Sequence, residues 1–599
     1  MTGTRIIPRT REQGPETVLI IGGGATGLVT LRNLAQELGH DSSGSYPLFA
    51  PTLVERRQEV GGVWYWSDET YFLERTVGPQ NTQGLSPIFD LKGQPHWPSP
   101  AYLNLRGNVL PEFLEFSGKV FDPPAHNQTF PTLKETHNYL LSFAQPFRKY
   151  IKCKVEVLKA VELAHDSGWE VTWKDWGHSA INTNGAVSFT PIVETRKFDR
   201  IVVAAGWYDT PYYPQVDGID QAKQAGHIHH CKHYRDSSAY RRKKVVVVGN
   251  NNSANEVAAH LAPLNSVTHP VYRSSKSAPV DKCPSLPDER IKDVGMIIRY
   301  NLVHTTTTTA NTANTYYTTS DTSGVGENKK ITTKLDLTLV DGSVIKDVDY
   351  VILGTGYGQK YPWLYVLTDS ARSCLPGDNF NSHQVEPLTP DSLKGTRVPY
   401  MYNHALFSKS PRLTLAFVGL VISLMPFSFN DLISAWITAV WAGKITSIPI
   451  SISDRLKFET RRLEYLYTQK CLSSNSGTQP DPNDDAMTYS GYHLLGGSLK
   501  QGPPSEFHFA SQLFEELQKV DEKSVKKWRW KWDQEREDRQ NSMYKIKKSW
   551  LEKNKLRIRN DPFDLLGSNS HTYGHLKNEL VLQNSTNTTE NKTATTSKL

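Results

Sequence analysis

The sequence predicts an α/β fold with two Rossmann-like doubly wound units, one inserted in the other, followed by a helical C-terminal extension. Three observations predict it. An apolar run meets a glycine-rich turn and an amphipathic helix at 17–38, "TVLIIGGGATGLVTLRNLAQEL". A second unit of the same kind, "KKVVVVGNNNSANEVAAHLA", begins at Lys243, about 220 residues later. Around them apolar strand-like runs alternate with helical stretches, the pattern of parallel sheets covered by helices on both faces.

Taken in order, 17–21 is a buried strand, and the helix after the turn carries Leu28, Leu31, Leu34, Ala35 and Leu38 on one face. A Gly/Ser/Pro-rich loop at 39–51 leads to a second strand, "TLVERR". Alternation from 151 to 174 predicts antiparallel strands. "FDRIVVAAGW" (198–207) is a further buried strand ending in glycine, and "HPVYRSSKS" (269–277) is the second strand of the second unit. The polar run 304–324 lacks periodicity and reads as a mobile loop. Asp341-Gly342 centres a hairpin, and one more buried strand ends in "LGTGY". Residues 505–558 have a helical pattern, with Trp528 and Trp532 expected to pack one turn apart on the body.

Composition narrows the function classes. The chain has 599 residues, 38% of them hydrophobic, enough for several cores. A net charge of +7, from 68 basic and 61 acidic residues, gives no reason to expect a nucleic-acid partner, and "KKWRWKWDQEREDR" comes without a recognised binding module. The five cysteines are scattered, with no zinc spacing, so no metal is expected; His227, His229, His230, His233 and Cys231 read as structural. The most apolar run, 413–425, has 13 residues and is too short for a transmembrane segment. The polar N-terminus lacks the apolar core of a signal peptide, so the sequons at Asn584, Asn587 and Asn591 read as accidents of composition. The terminal Ser597-Lys598-Leu599 is an address for the peroxisomal import receptor, which places the protein in the peroxisome and otherwise in the cytoplasm.

Gly22, Gly24 and Gly27 form GxGxxG between strand and helix. The first glycine permits the tight turn, the second lets backbone approach a pyrophosphate, and the third lets helix and strand pack closely. The helix N-terminus supplies N–H donors for the phosphates, and Glu55, at the end of the next strand, is placed for ribose hydroxyls.

The segment that follows, "ERRQEVGGVWYW", resembles flavin-containing monooxygenases and their relatives the Baeyer-Villiger monooxygenases, in which an acidic residue precedes GGxW; here that is Gly61, Gly62, Val63 and Trp64. "YLNLRGNVLPEFLEF" (102–116) is similar to the family's L-x-T-N-x-P stretch, with Gly107 in place of Thr and Asn108 kept. "FDRIVVAAGWYDTPYYPQVDG", "DYVILGTGY" and "NHALFSKSPRLTLAFVGL" also match, so the resemblance covers 17–465. The fingerprint FxGxxxHxxx(Y/F)K is met at 224–235 by Gly226, His230 and Tyr234, with Gln224 for Phe and Arg235 for Lys; the Tyr-Arg ending sides with nitrogen and sulfur oxygenases. Ile433 stands where the family has Gln.

The resemblance implies two cofactors, FAD at the first turn and NADPH at the second. It divides the chain into an FAD-binding domain in two parts (15–235 and 347–470), an inserted NADPH-binding domain (236–346), the extension (471–570) and a disordered tail (571–599). In the second turn Gly249 is the first glycine, Asn251 the second and Ala254 the third; Ser253, Ala254 and Glu256 match the family's relaxed G-x-x-x-S-G-x-D, with Asn255 between them. Asn tolerates left-handed backbone, so 250–252 can still make the turn. Arg273 and Lys276 beyond the next strand suit the 2′-phosphate of NADPH. The implied reaction inserts one atom of O2 into a small organic substrate through a flavin hydroperoxide, by N- or S-oxygenation, with Asn108 as the polar contact at the reacting centre. Two other readings stand beside it: Baeyer-Villiger oxidation of a ketone in a biosynthetic pathway, and a non-catalytic flavoprotein that has lost NADPH binding.

Overall fold

The computed structural model describes residues 6–41, 43–77, 87–102, 105–125, 128–181, 187–276, 282–308, 329–373, 384–393, 395–473, 492–495, 500, 505–520 and 531–553. Trp528, residues 309–324 of the polar run, the tail and its last three residues lie outside them.

Strands β1 (Glu16–Ile21), β2 (Phe49–Glu55) and β3 (Arg200–Val203) form the parallel centre of a seven-stranded sheet, with β1 between the other two. Helix α1 (Ala25–Ala35) packs on it. Strands β4 (Ile228–His230), β5 (Val245–Val248), β6 (Val271–Ser274), β7 (Ile291–Val294) and β8 (Tyr350–Leu353) form a second, all-parallel sheet in the order β4-β8-β5-β6-β7. Its helix is α3 (Asn252–Leu261), and α2 (Asp68–Val77) precedes it in the chain. Strand β9 (Leu415–Phe417) pairs with β3 and returns the chain to the first sheet. Both sheets are parallel where the sequence runs apolar, because strands covered on both faces need no alternation.

Three boundaries move. β4 and β8 belong to the second sheet, so that sheet reaches beyond 236–346 at both ends; β4 lies in the 224–235 fingerprint and β8 is the buried strand before "LGTGY". Residues 151–153 pair parallel with β2 at the sheet edge, and antiparallel pairing begins at Val155. Residues 297–308 form one long strand hydrogen-bonded to 329–339, so 304–308 is ladder and not loop; threonine's branched Cβ suits a strand.

The core of the FAD side is capped by α4 (Pro426–Trp441), whose residues from Phe427 to Trp441 are all buried. Ile433 is 2% exposed in that core, and an apolar residue there is a packing choice. Asp431 survives in this helix because the Arg32 guanidinium and the Ser117 amide and hydroxyl bind it, the last two at 2.7 Å. The C-terminal helices α5 (Glu506–Val520) and α6 (Gln534–Lys553) complete the layer, with Leu513, Leu517, Trp532 and Met543 in the same core. Trp532 packs on Phe429 and Phe507. No helix among the described residues is long and apolar enough to cross a membrane.

Burial holds several imidazoles neutral. His229 and His260 are pushed down to about 4, and His230 and His404 to about 3. The unfolded chain protonates these groups near pH 6.5, and the folded one does so only near 3–4. Below about pH 6.5 the unfolded state therefore takes up more protons, and stability falls by about 1.4 kcal/mol per pH unit for each such histidine. Urea midpoints are expected to be level above pH 7 and to drop steeply from 6.5 toward 5. A flat profile across that lower window would show that these rings are accessible.

Candidate functional site

The first turn is built around missing side chains. Gly22 has φ +115°, and a Cβ there would lie 2.5 Å from the Ala204 carbonyl oxygen at the end of β3. A Cβ on Gly27 would lie 1.9 Å from the Gly22 carbonyl oxygen. Gly24 is the N-cap of α1 in extended backbone, φ −76° and ψ −174°, so it serves space and not conformation. The glycine-pair loop fills that space: a Cβ on Gly62 would lie 2.8 Å from Gly24 Cα, and the Gly61 amide donates to the Gly23 carbonyl at 2.9 Å. Gly62, Val63 and Trp64 form a 3-10 turn against the phosphate end of α1.

Glu55 ends β2 almost fully buried. Its carboxylate accepts the amides of Gly23, at 2.7 Å, and Arg57, at 2.9 Å. A carboxylate has about four acceptor positions, so two remain for ribose hydroxyls. Thr26, Gly419 and Asn430 were missed by sequence reading. A Cβ on Gly419 would lie 2.9 Å from Thr26 Cγ2 and 3.8 Å from Asn430 Oδ1, which brings the end of β9 and the start of α4 to the first turn of α1. The signal was available, because "AFVGL" is another strand ending in glycine. The open helix N-terminus, the glycine cradle and the buried carboxylate fit FAD.

The second turn uses the same geometry with one exchange. Gly249 has φ +122°, and its Cβ would lie 2.7 Å from the Gly354 carbonyl oxygen, as Gly22 faces Ala204. Ala254 replaces the third glycine, and a Cβ on Gly354 would come within 2.8 Å of the Ala254 methyl. The side chain allowed on the helix is thus removed from the facing strand. Asn251 is the N-cap of α3 at φ −94°, ψ 178°, and none of Asn250, Asn251 and Asn252 is left-handed. The expectation that asparagine was needed for left-handed backbone is therefore corrected; the positive φ falls on Gly249 alone. Ser253 is exposed on the first turn of α3.

Asn255 and Arg273 have structural work. The Arg273 guanidinium donates to Asp293 on β7 at 2.6 and 2.8 Å and to Asn255 Oδ1 at 2.8 Å. Asn255 Nδ2 donates to the Cys283 carbonyl at 2.7 Å, which brings the loop after β6 over the α3 N-terminus. Arg273 is buried, so of the two expected phosphate cations Lys276 is the exposed one.

Glu256 is bound by the Tyr102 hydroxyl and lies 4.0 Å from Lys547 Nζ on α6. Burial pushes its carboxyl up and the Lys547 ammonium down, each opposed by the other's charge. Tyr102 opens the segment that carries Gly107 and Asn108. Gly107 is tight, its Cβ position being 3.1 Å from Leu114 and Pro131. Asn108 Oδ1 is buried without a hydrogen-bond partner.

The 224–235 linker is a strut. Gly226 takes φ +82°, His230 Nε2 hydrogen-bonds with the Gly356 carbonyl at 3.0 Å, and Arg235 forks onto Glu74 of α2. His227 and His229 point to other partners, Asp349 and Tyr240, so the histidines diverge.

This geometry fits a protein with two dinucleotide sites, as in flavoprotein oxidoreductases. Comparison with known proteins agrees. Residues 104–277 match the model of the flavin-binding monooxygenase-like family, and 191–375 that of pyridine nucleotide-disulphide oxidoreductases. The Arabidopsis thaliana flavin-containing monooxygenase FMO GS-OX4 is 25% identical over 74% of this chain and 78% of its own. The thiol-specific monooxygenase of Saccharomyces cerevisiae is 23% identical over 72% and 78%. The structure of S-allyl-L-cysteine S-oxygenase from Allium sativum shares the fold, with a TM-score of 0.54 and 20% identity over 89% of this chain and 99% of its own. The chain is thus similar to the flavin-containing monooxygenases, which are enzymes, and the matched domains indicate FAD and NADPH as its cofactors.

The two turns predict opposite responses. Gly27→Ala places a methyl into backbone and should cost more than the ~1–3 kcal/mol of ordinary overpacking, with loss of flavin absorbance from the purified protein. Ala254→Gly should cost only about 1 kcal/mol of helix propensity and leave NADPH affinity within about threefold. Equal loss at both positions would contradict the exchanged-methyl account.

Proposed function

We propose that the chain is an NADPH-dependent S- or N-oxygenase of small polar substrates, with sulfur favoured. The observation that carries the reading is the buried, unpartnered Asn108 Oδ1, on the segment tied to α3 through Tyr102 and Glu256. The thiol named for the yeast relative and the S-oxygenase named for the Allium neighbour support sulfur, as does the Tyr234-Arg235 ending. Bound FAD supplies oxygen activation and atom transfer, and NADPH supplies the hydride.

The chain's own residues bind, orient and exclude water. The N-termini of α1 and α3 hold the two pyrophosphates. Glu55 orients the FAD ribose, and Gly62 to Trp64 close over the turn. Lys276, exposed beyond β6, is the cation available to a 2′-phosphate. An unpaired carbonyl oxygen on Asn108 accepts a hydrogen bond from a bound cofactor amide, which fixes the cofactor beside the substrate and keeps water out. No nucleophile–base pair is required, because the cofactors carry the chemistry. The overall balance is NADPH, a proton, O2 and a sulfide giving NADP⁺, water and a sulfoxide.

Anaerobic stopped-flow mixing with NADPH should bleach the flavin within seconds, and product analysis with a sulfide and a ketone side by side should yield sulfoxide in excess of ester. Absent bleaching would end the oxygenase reading, and dominant ester would establish Baeyer-Villiger activity. Asn108→Ala should raise hydrogen peroxide released per NADPH oxidised several-fold; unchanged coupling would remove Asn108 from this role.

The reading includes import into the peroxisome through Ser597-Lys598-Leu599. A fluorescent fusion that keeps the native C-terminus should mark peroxisomes, and loss of the last three residues should disperse it. Dispersed signal from both would refute the address.

A further inference from the structure

The C-terminal extension is more than a cover for the core. Helix α6 runs along the segment that carries Asn108, in the opposite direction. The Arg536 guanidinium lies 5.1 Å over the Phe113 ring, Arg539 pairs with Glu112 at 2.8 Å, and Met543 Sδ lies 3.3 Å from the Leu110 amide. Further along, Arg106 stacks on Trp550 at 5.9 Å. At its other side α6 reaches α3 through Lys547 and Glu256.

The inner face of this helix is polar where a packing helix would be apolar. Gln540 is 3% exposed and its Nε2 has no partner; Trp532 is 3% exposed and its indole N–H has none; the buried Tyr544 hydroxyl has none. Two further acceptors are buried and unpaired, Asn108 Oδ1 on the segment that α6 covers and Asn430 Oδ1 on the first turns of α4. Asn430 follows Phe429, whose ring packs on Trp532. Each unpaired buried polar group costs about 1–3 kcal/mol, so these groups would be a heavy burden unless a polar ligand or water meets them. Opposite charges flank them: Glu506, which accepts from the Leu424 amide at 3.2 Å, and Arg536, which donates to Ser428 at 3.1 Å.

We propose that α6 and Trp532 form the outer wall of the substrate site, and that Trp532, Gln540 and Tyr544 hold the polar end of a sulfur substrate of amino-acid chemistry. Asn430 Oδ1 suits an ammonium or amide N–H, and the three donors suit a carboxylate or carbonyl. The sulfur then lies toward Asn108. This assignment rests on the oxygenase reading and names its substrate class.

The test uses the flavin-loaded enzyme without NADPH, with S-methyl-L-cysteine as probe and flavin absorbance and melting temperature as binding readouts. Wild type should bind it, and masking both charges, as in the N-acetyl methyl ester, should weaken binding at least tenfold. Gln540→Leu and Tyr544→Phe should each weaken binding by about tenfold, the worth of one hydrogen bond at about 1.4 kcal/mol. Each should lower the ratio of kcat/KM for this probe against methyl p-tolyl sulfide by a similar factor, with flavin content and melting temperature as controls of folding. Wild-type failure to bind the probe, equal binding of the masked form, or an unchanged ratio in folded variants would overturn the proposal. Binding that responds to both variants but yields no sulfoxide would keep the polar subsite and refute the oxygenase reading.

Discussion

Both nucleotide sites depend on how closely a helix can approach the strand beside it. The helix N-terminus attracts phosphate only when the turn before it is tight and its first N–H groups face outward. At the first site tightness comes from removing side chains on the turn and the helix, since Gly27 lies against the Gly22 carbonyl. At the second site a methyl on Ala254 is accepted because the facing strand ends in Gly354 where the first ends in Ala204. The total space is conserved while its bookkeeping differs. A glycine count taken along one turn therefore misjudges the site, because half of the space belongs to a residue about a hundred positions away.

The two units are then held to each other by polar contacts that are buried, specific and few. Arg235 crosses from the linker to Glu74, Tyr102 reaches Glu256, and Lys547 reaches the same carboxylate from the C-terminal helix. Such pairs contribute little net stability, because desolvation offsets their attraction. They penalise a displaced arrangement, since a broken pair leaves a charge buried alone. An oxygenase with two cofactors has that need, because the nicotinamide side and the flavin side must meet in one register.

Local signals were legible in the sequence and nonlocal ones were not. Strand periodicity, Gly22, Gly27 and Gly249, and the Asp341-Gly342 hairpin are statements about neighbouring residues, and each stands in the structure. The pairing of Arg273 with Asp293 on the next strand is invisible to spacing. Asn251 was read through its backbone tolerance, yet its position needs room and not a positive φ. The ends of the inserted unit moved because parallel edge strands are recruited by a sheet assembled from distant segments. The match of α6 to residues 106–113 spans more than four hundred positions, and its pattern of buried polar residues looks like an exposed face when read alone.

Glu256 shows how these distant contacts make a local motif workable. A carboxylate in the second turn of a phosphate-binding helix opposes the charge the helix is there to attract. The conflict is eased by holding the carboxylate against the Tyr102 hydroxyl and beside the Lys547 ammonium, where burial raises its carboxyl and the lysine charge opposes that shift. The acid then serves as the point where the nucleotide domain, the Asn108 segment and the C-terminal helix meet. Its partners set the angle at which α3 presents its N-terminus, so a residue that would weaken phosphate binding by its charge supports it by position.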